Sequence, residues 1–226
     1  MEKSDQQSRR RFLENSALLG ALGVVGASQL ISSCSTENKP VKIDLKPFLD
    51  KAPEGQPLMA GVVGCGGRGS GASFNFLDAG DDLSIVALAD VFKDKTDALR
   101  KKLKDRKGVE IADENVFHGF DGYKRLLETD VDIVILATPP YFRPVQFQAA
   151  VDARKHVFME KPVAVDPPGA RLVMAASKQA ESAGISVVTG TQRRHARDYT
   201  DIYAHIKGGT MGDLVSANVY WNQYKL

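Results

Sequence analysis

Leu58-Met59-Ala60-Gly61-Val62-Val63-Gly64-Cys65-Gly66-Gly67-Arg68-Gly69 is the stretch on which the fold turns. Its first six residues form an apolar run of the length of a buried strand, and the glycines after it lead into a helix expected over Gly71–Ala79. A bare G-x-G-x-x-G is weak evidence, but between a strand and a helix each glycine has a task. Gly64 permits a tight turn, Gly66 lets backbone approach a pyrophosphate, and Gly69 lets the helix pack closely on the strand, with helix-terminal N–H groups facing the phosphates. Gly64, Gly66, Gly67, Arg68 and Gly69 are therefore candidate cofactor contacts. A Gly-rich turn in an unrelated α/β protein would share the pattern, so the surrounding sequence has to decide.

Downstream, short apolar runs alternate with helical stretches. Leu83–Ala89 reads as a second strand, and Lys93–Arg106 as a surface helix whose Thr96, Leu99 and Leu103 share one face. Val116–Phe120, Val131–Ala137, His156–Met159 and Ile185–Thr189 read as further strands; Pro144–Ala153, Ala170–Ala183 and Tyr199–Ile206 read as helices. Strands alternating with helices give an α/β fold, a Rossmann-type doubly wound parallel sheet. Asp90 closes the second strand 21 residues after Gly69, where a carboxylate binds the adenosine ribose hydroxyls of a dinucleotide. A carboxylate there repels a 2′-phosphate, which favours NAD over NADP. Lys93 is close enough in sequence to help a 2′-phosphate, although a basic run such as Lys93 to Lys107 also reads as a solvated face.

The rest of the chain is organised around that domain. Its 226 residues are 43% apolar with a net charge of +2, which is globular and lacks the basic footprint of a nucleic-acid binder. Two cysteines cannot build a disulfide framework. A small-molecule partner is expected. At the N-terminus, Ser8-Arg9-Arg10-Arg11-Phe12-Leu13 precedes the uncharged run Asn15–Thr36, a pattern that resembles a twin-arginine export signal over residues 1–33. A single membrane anchor is the other reading, but the Gly-interrupted apolar part is short for a span. Ile31-Ser32-Ser33-Cys34 resembles a bacterial lipobox with Cys34 as a lipid anchor; a chance cysteine beside an ordinary cleavage site stays open. Export to the periplasm, or anchoring on a membrane facing it, is the expectation. Residues 34–56 form a Pro-rich arm, docked or loose. The dinucleotide domain is expected over 57–210. Beyond it, Val215, Ala217, Val219 and Trp221 alternate with polar residues, as in the opening strand of an antiparallel sheet in a further domain, 211–226 being the part at hand.

Glu160-Lys161-Pro162 stands at the carboxyl end of the fifth strand, on the same sheet edge as the Gly loop and Thr138-Pro139-Pro140. Ligands bind at that edge in open α/β sheets. A lysine held there can exchange protons with a substrate, or can be a solvated strand-end turn; the residues alone leave both open. Cys65 reads as a small residue tolerated between glycines, with no metal-binding set nearby.

The Gly64–Gly69 loop, Asp90, Ala137-Thr138-Pro139-Pro140, Glu160-Lys161-Pro162 and Gly208-Gly209-Thr210-Met211-Gly212 before a strand together resemble the glucose-fructose oxidoreductase and inositol dehydrogenase family (Gfo/Idh/MocA), over roughly residues 57 to 226. The resemblance implies a Rossmann domain followed by an α/β domain with an open antiparallel sheet. It implies NAD or NADP as cofactor, sugars, cyclitols or related polyols as substrates, and a homo-oligomer in the complete protein. Lys161 would be the catalytic acid–base residue. Glu160 would sit beside the nicotinamide ribose, Thr138 and Pro139 would line the cofactor cleft, and Arg194 and His195 would contact substrate. Two departures stand out. The family has a histidine shortly after T-P-N, where this chain reads Pro140-Tyr141-Phe142-Arg143, and the family's partner aspartate and histidine fall beyond Leu226. Net oxidation or reduction is the leading reading. Redox-neutral glycoside cleavage through a keto-sugar, and nucleotide binding without catalysis, are the alternatives.

Overall fold

In the computed structural model, which describes Gly55 and residues 57–222, the apolar runs become one six-stranded sheet. Its strands are β1 (Leu58–Val63), β2 (Leu83–Asp90), β3 (Val116–His118), β4 (Ile133–Leu136), β5 (His156–Met159) and β6 (Val187–Thr189). Every neighbouring pair is parallel, in the order β3-β2-β1-β4-β5-β6. The chain therefore winds outward from β1 in one direction and from β4 in the other. A crevice opens where the direction reverses, at the carboxyl ends of β1 and β4.

The helices are α1 (Gly67–Asp78), α2 (Lys93–Lys107), α3 (Gly122–Leu127), α4 (Arg143–Asp152), α5 (Pro167–Ser182) and α6 (Arg197–Lys207). Side chains alternate across the strands, and the core accordingly splits in two. On one face Ala60, Val62, Ile85, Leu88 and Ile135 meet Ala72 of α1 and Leu99 and Leu103 of α2. On the other, Val63, Ala87, Val134 and Val157 meet Leu126 of α3, Phe147 of α4 and Ala176 of α5. Leu99, Leu103 and Phe147 are fully buried, so truncation of any one to alanine costs about 2–5 kcal/mol. Helix α2 buries Thr96, Leu99 and Leu103, as its spacing predicts, and ends in a left-handed Gly108 behind a last turn carrying Lys104, Arg106 and Lys107.

Three differences from the sequence reading have physical causes. Helix α1 begins at Gly67, inside the glycine loop, because Gly67 and Gly69 already belong to its first turn while Gly64 and Gly66 precede it. Helix α3 was not anticipated: six residues are too short to show a period. It fits because Gly61 of β1 has no side chain; a Cβ there would lie 2.6 Å from Leu126 Cδ2. The expected strand over Val215–Trp221 is not formed, and Val215 and Val219 are 96% and 92% exposed. A strand needs a neighbouring strand for its backbone ladder, and no described strand forms one with Val215–Tyr220.

By their contacts residues 57–200 belong to one compact unit. Residues 208–222 carry no helix or strand. No helix among the described residues is long and apolar enough to cross a membrane. The expected signal at 1–33, the Cys34 anchor and all of the 34–56 arm except Gly55 lie outside the described residues.

Candidate dinucleotide site

The glycine loop is shaped by two close approaches and one open space. Gly64 has φ +93°, and a Cβ on it would lie 2.7 Å from the Thr138 amide nitrogen. A Cβ on Gly69 would lie 1.8 Å from the Gly64 carbonyl oxygen. Around Gly66 and Gly67, in contrast, no described atom beyond their own chain neighbours and helix backbone lies within 4 Å of the position a Cβ would take. The first bond into α1 runs from the Ser70 amide to the Gly66 carbonyl, at 2.9 Å. Amides earlier in the turn have no intrahelical acceptor, no side chain caps the helix, and its first turn holds no acidic residue. This end of α1 presents N–H groups and positive dipole to open space, the arrangement that binds a phosphate.

Asp90, at the end of β2, ties the loop in place. Its Oδ2 accepts from the Cys65 amide at 2.7 Å and its Oδ1 from the Phe92 amide at 3.0 Å. A carboxylate has about four acceptor sites, so two remain for ribose hydroxyls. Lys93 is engaged elsewhere: its Nζ pairs with Asp97 one turn along α2, at 2.6 Å. Cys65 is 2% exposed and its thiol donates to the Ala89 carbonyl. Burial, reinforced by the Asp90 charge, pushes that thiol far above its ordinary range, which leaves it without a nucleophilic role.

A cleft of ≈ 860 Å³ runs along this edge, lined by Gly64, Gly66, Asp90, Thr138, Pro139 and Gln146 among others. Its walls include Phe92, Phe120, Tyr141 and Phe142, each just beyond the carboxyl end of a strand. Tyr141 packs edge-on against Phe142 with ring centroids 5.3 Å apart. The cleft size, the open glycines, the unpaired helix start and the remaining acceptor capacity of Asp90 together fit a dinucleotide.

The β4 and β5 ends are joined by buried polar groups. Thr138 Oγ1 donates to Gln146 Oε1 at 2.5 Å. Arg143, 2% exposed, donates through Nη2 to the Thr138 carbonyl and through Nη1 to the Pro162 carbonyl. Burial lowers its pKa, and the nearby Glu160 carboxylate opposes that shift. Glu160 is 4% exposed; its Oε1 lies 2.5 Å from Arg68 Nη2, close enough for an ion pair but not aligned as a hydrogen bond. Gly190, after β6, gives this carboxylate room, since a Cβ there would lie 2.8 Å from Glu160 Oε2.

Gly64, Gly66, Asp90, Thr138 and Pro139 are thus brought together in the cleft. Gly69 supports the loop from beneath, and Gly67 is exposed at the start of α1. Arg68 and Glu160 meet each other instead of lining the cleft. Lys161 is exposed beside Glu160, and the Lys161–Pro162 peptide is cis. Arg194 and His195 are exposed beyond β6, the outermost strand, and do not line the cleft. Sequence reading missed the aromatic walls, Gln146, the Arg143 ties and Gly190. The aromatics had a signal, their places after strand ends; the other contacts join residues whose pairing no local pattern announces.

The chain is 27% identical over 155 residues to the myo-inositol 2-dehydrogenase of Thermotoga maritima, covering 69% of this chain and 42% of that protein. It is 32% identical over 162 residues to a glycosyl hydrolase family 109 protein of Solibacter usitatus, covering 71% of this chain and 34% of that protein. The chain thus spans less than half the length of these relatives. The scyllo-inositol dehydrogenase of Lactobacillus casei, solved with NAD(H) and scyllo-inositol, shares the fold with a TM-score of 0.58 at 24% identity, over 70% of this chain and 43% of that one. Residues 58–189, more than half of the chain, match the model of the oxidoreductase family with an NAD-binding Rossmann fold, GFO_IDH_MocA, and the chain belongs to that family.

Proposed function

We propose that the protein containing this chain is an NAD(P)-dependent oxidoreductase that interconverts a hydroxyl and a carbonyl on a sugar, cyclitol or related polyol. The observation that carries the reading is the cleft at the strand-order reversal, where the open Gly66, the unpaired start of α1 and Asp90 converge. Bound there, the dinucleotide supplies the two-electron redox chemistry that the side chains lack. The chain's residues do the rest. The amides at the start of α1 hold the pyrophosphate, Asp90 accepts from the ribose hydroxyls, and the aromatic walls offer apolar surface to the dinucleotide's rings. Thr138 and Pro139 border the reacting end, and Lys161 takes the proton from the substrate hydroxyl or returns it to the carbonyl oxygen. Asp90 favours NAD, and the Lys93 ammonium is paired with Asp97 one turn along α2.

Several expectations extend this reading. Residues 1–33 act as a twin-arginine signal, Cys34 carries a lipid, the protein works outside the cytoplasm of a bacterium, and the complete protein is a homo-oligomer. The 32% identity to a glycosyl hydrolase family 109 protein favours one second reading, redox-neutral cleavage of a glycoside through a transient keto-sugar. One experiment separates the two. Incubation with NAD and a panel of cyclitols, free sugars and aryl glycosides is followed at 340 nm and by product release. NADH appearing in step with an oxidised polyol supports net oxidation; glycoside cleavage without NADH supports the second reading; absence of both refutes the proposal.

A further inference from the structure

Arg143 occupies a place where helix energetics would not put an arginine. It is the first residue of α4, where the macrodipole is positive, and the residue is 2% exposed. Burying a charge there is costly unless it is paired and hydrogen-bonded. Its partners are two main-chain carbonyls from different loops: Thr138, just after β4, and Pro162, just after β5. Gln146, three residues along the same helix, holds the Thr138 hydroxyl, so the start of α4 grips Thr138 by both its carbonyl and its side chain. On the far side, Glu160 is held by Arg68 and by the confined space over Gly190. Lys161 therefore sits between two immobilised neighbours, although its own side chain is exposed.

We propose that Arg143 is a positioning residue for the reaction: by tying the Pro162 carbonyl to the Thr138 carbonyl it fixes Lys161 relative to the nucleotide cleft. This rests on Lys161 as the proton-handling group. The guanidinium suits the task because its planar fork donates in two directions at fixed geometry, which an ammonium cannot do. Arg143 does not line the cleft; it acts through the backbone on both sides of the lysine.

The test uses the full protein with Arg143→Ala and Arg143→Lys. Amide hydrogen exchange is expected to accelerate at least tenfold in segments 138–141 and 161–164 of the alanine variant, with β2 and α2 unchanged. Turnover of the best polyol should lose about 100-fold in kcat, the scale of a misplacement of about 1 Å, while KM for NAD stays within threefold. Millimolar guanidinium ion, filling the space left by the side chain, should restore slow exchange and raise kcat at least tenfold. Wild-type exchange in both segments of a folded Arg143→Ala protein would overturn the proposal, as would faster exchange throughout the sheet, an equal loss in NAD affinity, or no response to guanidinium. Should Arg143→Ala not fold, Arg143→Lys carries the same measurements: it keeps the charge but replaces the rigid planar fork with a single nitrogen on a flexible stem, and wild-type exchange with wild-type kcat overturns the proposal. A wild-type protein that binds no NADH would refute the functional reading, while exchange and guanidinium rescue still decide whether Arg143 holds the two loops.

Discussion

Two alanine substitutions two angstrom-scale environments apart, Gly66→Ala and Gly69→Ala, should fail in opposite ways. The Gly69 Cβ would stand 1.8 Å from the Gly64 carbonyl oxygen, whereas a carbon–oxygen contact needs about 3.3 Å. The loop or α1 must then retreat by about 1.5 Å. Overpacking of this kind costs about 1–3 kcal/mol, and the upper end applies because the opposing atom is main chain. For a chain of this size about 3 kcal/mol lowers Tm by roughly 6–12 °C. Gly66, with φ −68° and nothing within 4 Å of its Cβ position, accepts alanine without strain. Alanine is the poorer N-cap, but it also restricts the unfolded chain, and the two effects offset to within about 1 kcal/mol. The new methyl group nevertheless occupies the space where the pyrophosphate approaches the backbone. NADH affinity should fall at least tenfold, about 1.4 kcal/mol, with Tm little changed. Differential scanning fluorimetry and titration calorimetry measure both quantities. Wild-type NADH affinity in Gly66→Ala would place the pyrophosphate elsewhere, and wild-type Tm in Gly69→Ala would deny the close approach.

Other substitutions probe the remaining links. Asp90→Ala removes the acceptor for the Cys65 and Phe92 amides as well as the ribose contact and should cost more NADH affinity than Asp90→Asn, which keeps one carbonyl oxygen; equal losses by calorimetry would show that loop anchoring is unimportant. Cys65 should resist iodoacetamide at pH 8.5 in the folded chain and react once urea unfolds it, as read by peptide mass mapping; labelling of the native state would contradict its burial. Because the folded thiol is raised above its ordinary value of 9.0, its contribution is complete below that pH and is lost as pH climbs above it. Wild type should therefore lose stability relative to Cys65→Ala by about 1.4 kcal/mol per pH unit from that point upward, measured by urea unfolding, and parallel curves would refute the linkage. Gly190→Ala should crowd the Glu160 carboxylate, break its pairing with Arg68 and cost about 1–3 kcal/mol, with the shorter Asp at position 160 recovering part of the Tm; no recovery would show that the clash lies elsewhere.

Much of the architecture was legible along the chain because its determinants are local. A strand buried on both faces is an apolar run, an amphipathic helix is a period, and Gly64, Gly66 and Gly69 sit in a spacing that steric demands impose. Thr96, Leu99 and Leu103 could be assigned to the buried face of α2 from spacing alone, and they are its buried residues. Helix α3 escaped because six residues complete less than two turns, and its packing depends on Gly61, more than 60 positions away, lacking a side chain. The tail from Val215 to Trp221 shows the converse: alternation states which face a strand would bury, but a strand exists only where another supplies its hydrogen bonds.

The site divides along the same line. Residues whose place follows from the strand–loop–helix unit, such as the glycine loop and Asp90, are legible in the sequence, because backbone geometry over a few residues dictates them. Arg143 and Gly190 are not, since each acts on a partner, Pro162 or Glu160, brought near by the parallel stacking of β4, β5 and β6; Gln146 reaches Thr138 because the start of α4 folds back beside the end of β4. Folding also paired Arg68 with Glu160 and left Lys161 exposed between two restrained neighbours. Composition and spacing encode which elements form and where their ends lie. Which side chains meet at those ends depends on strand order and register, and these are set by the packing of the whole sheet.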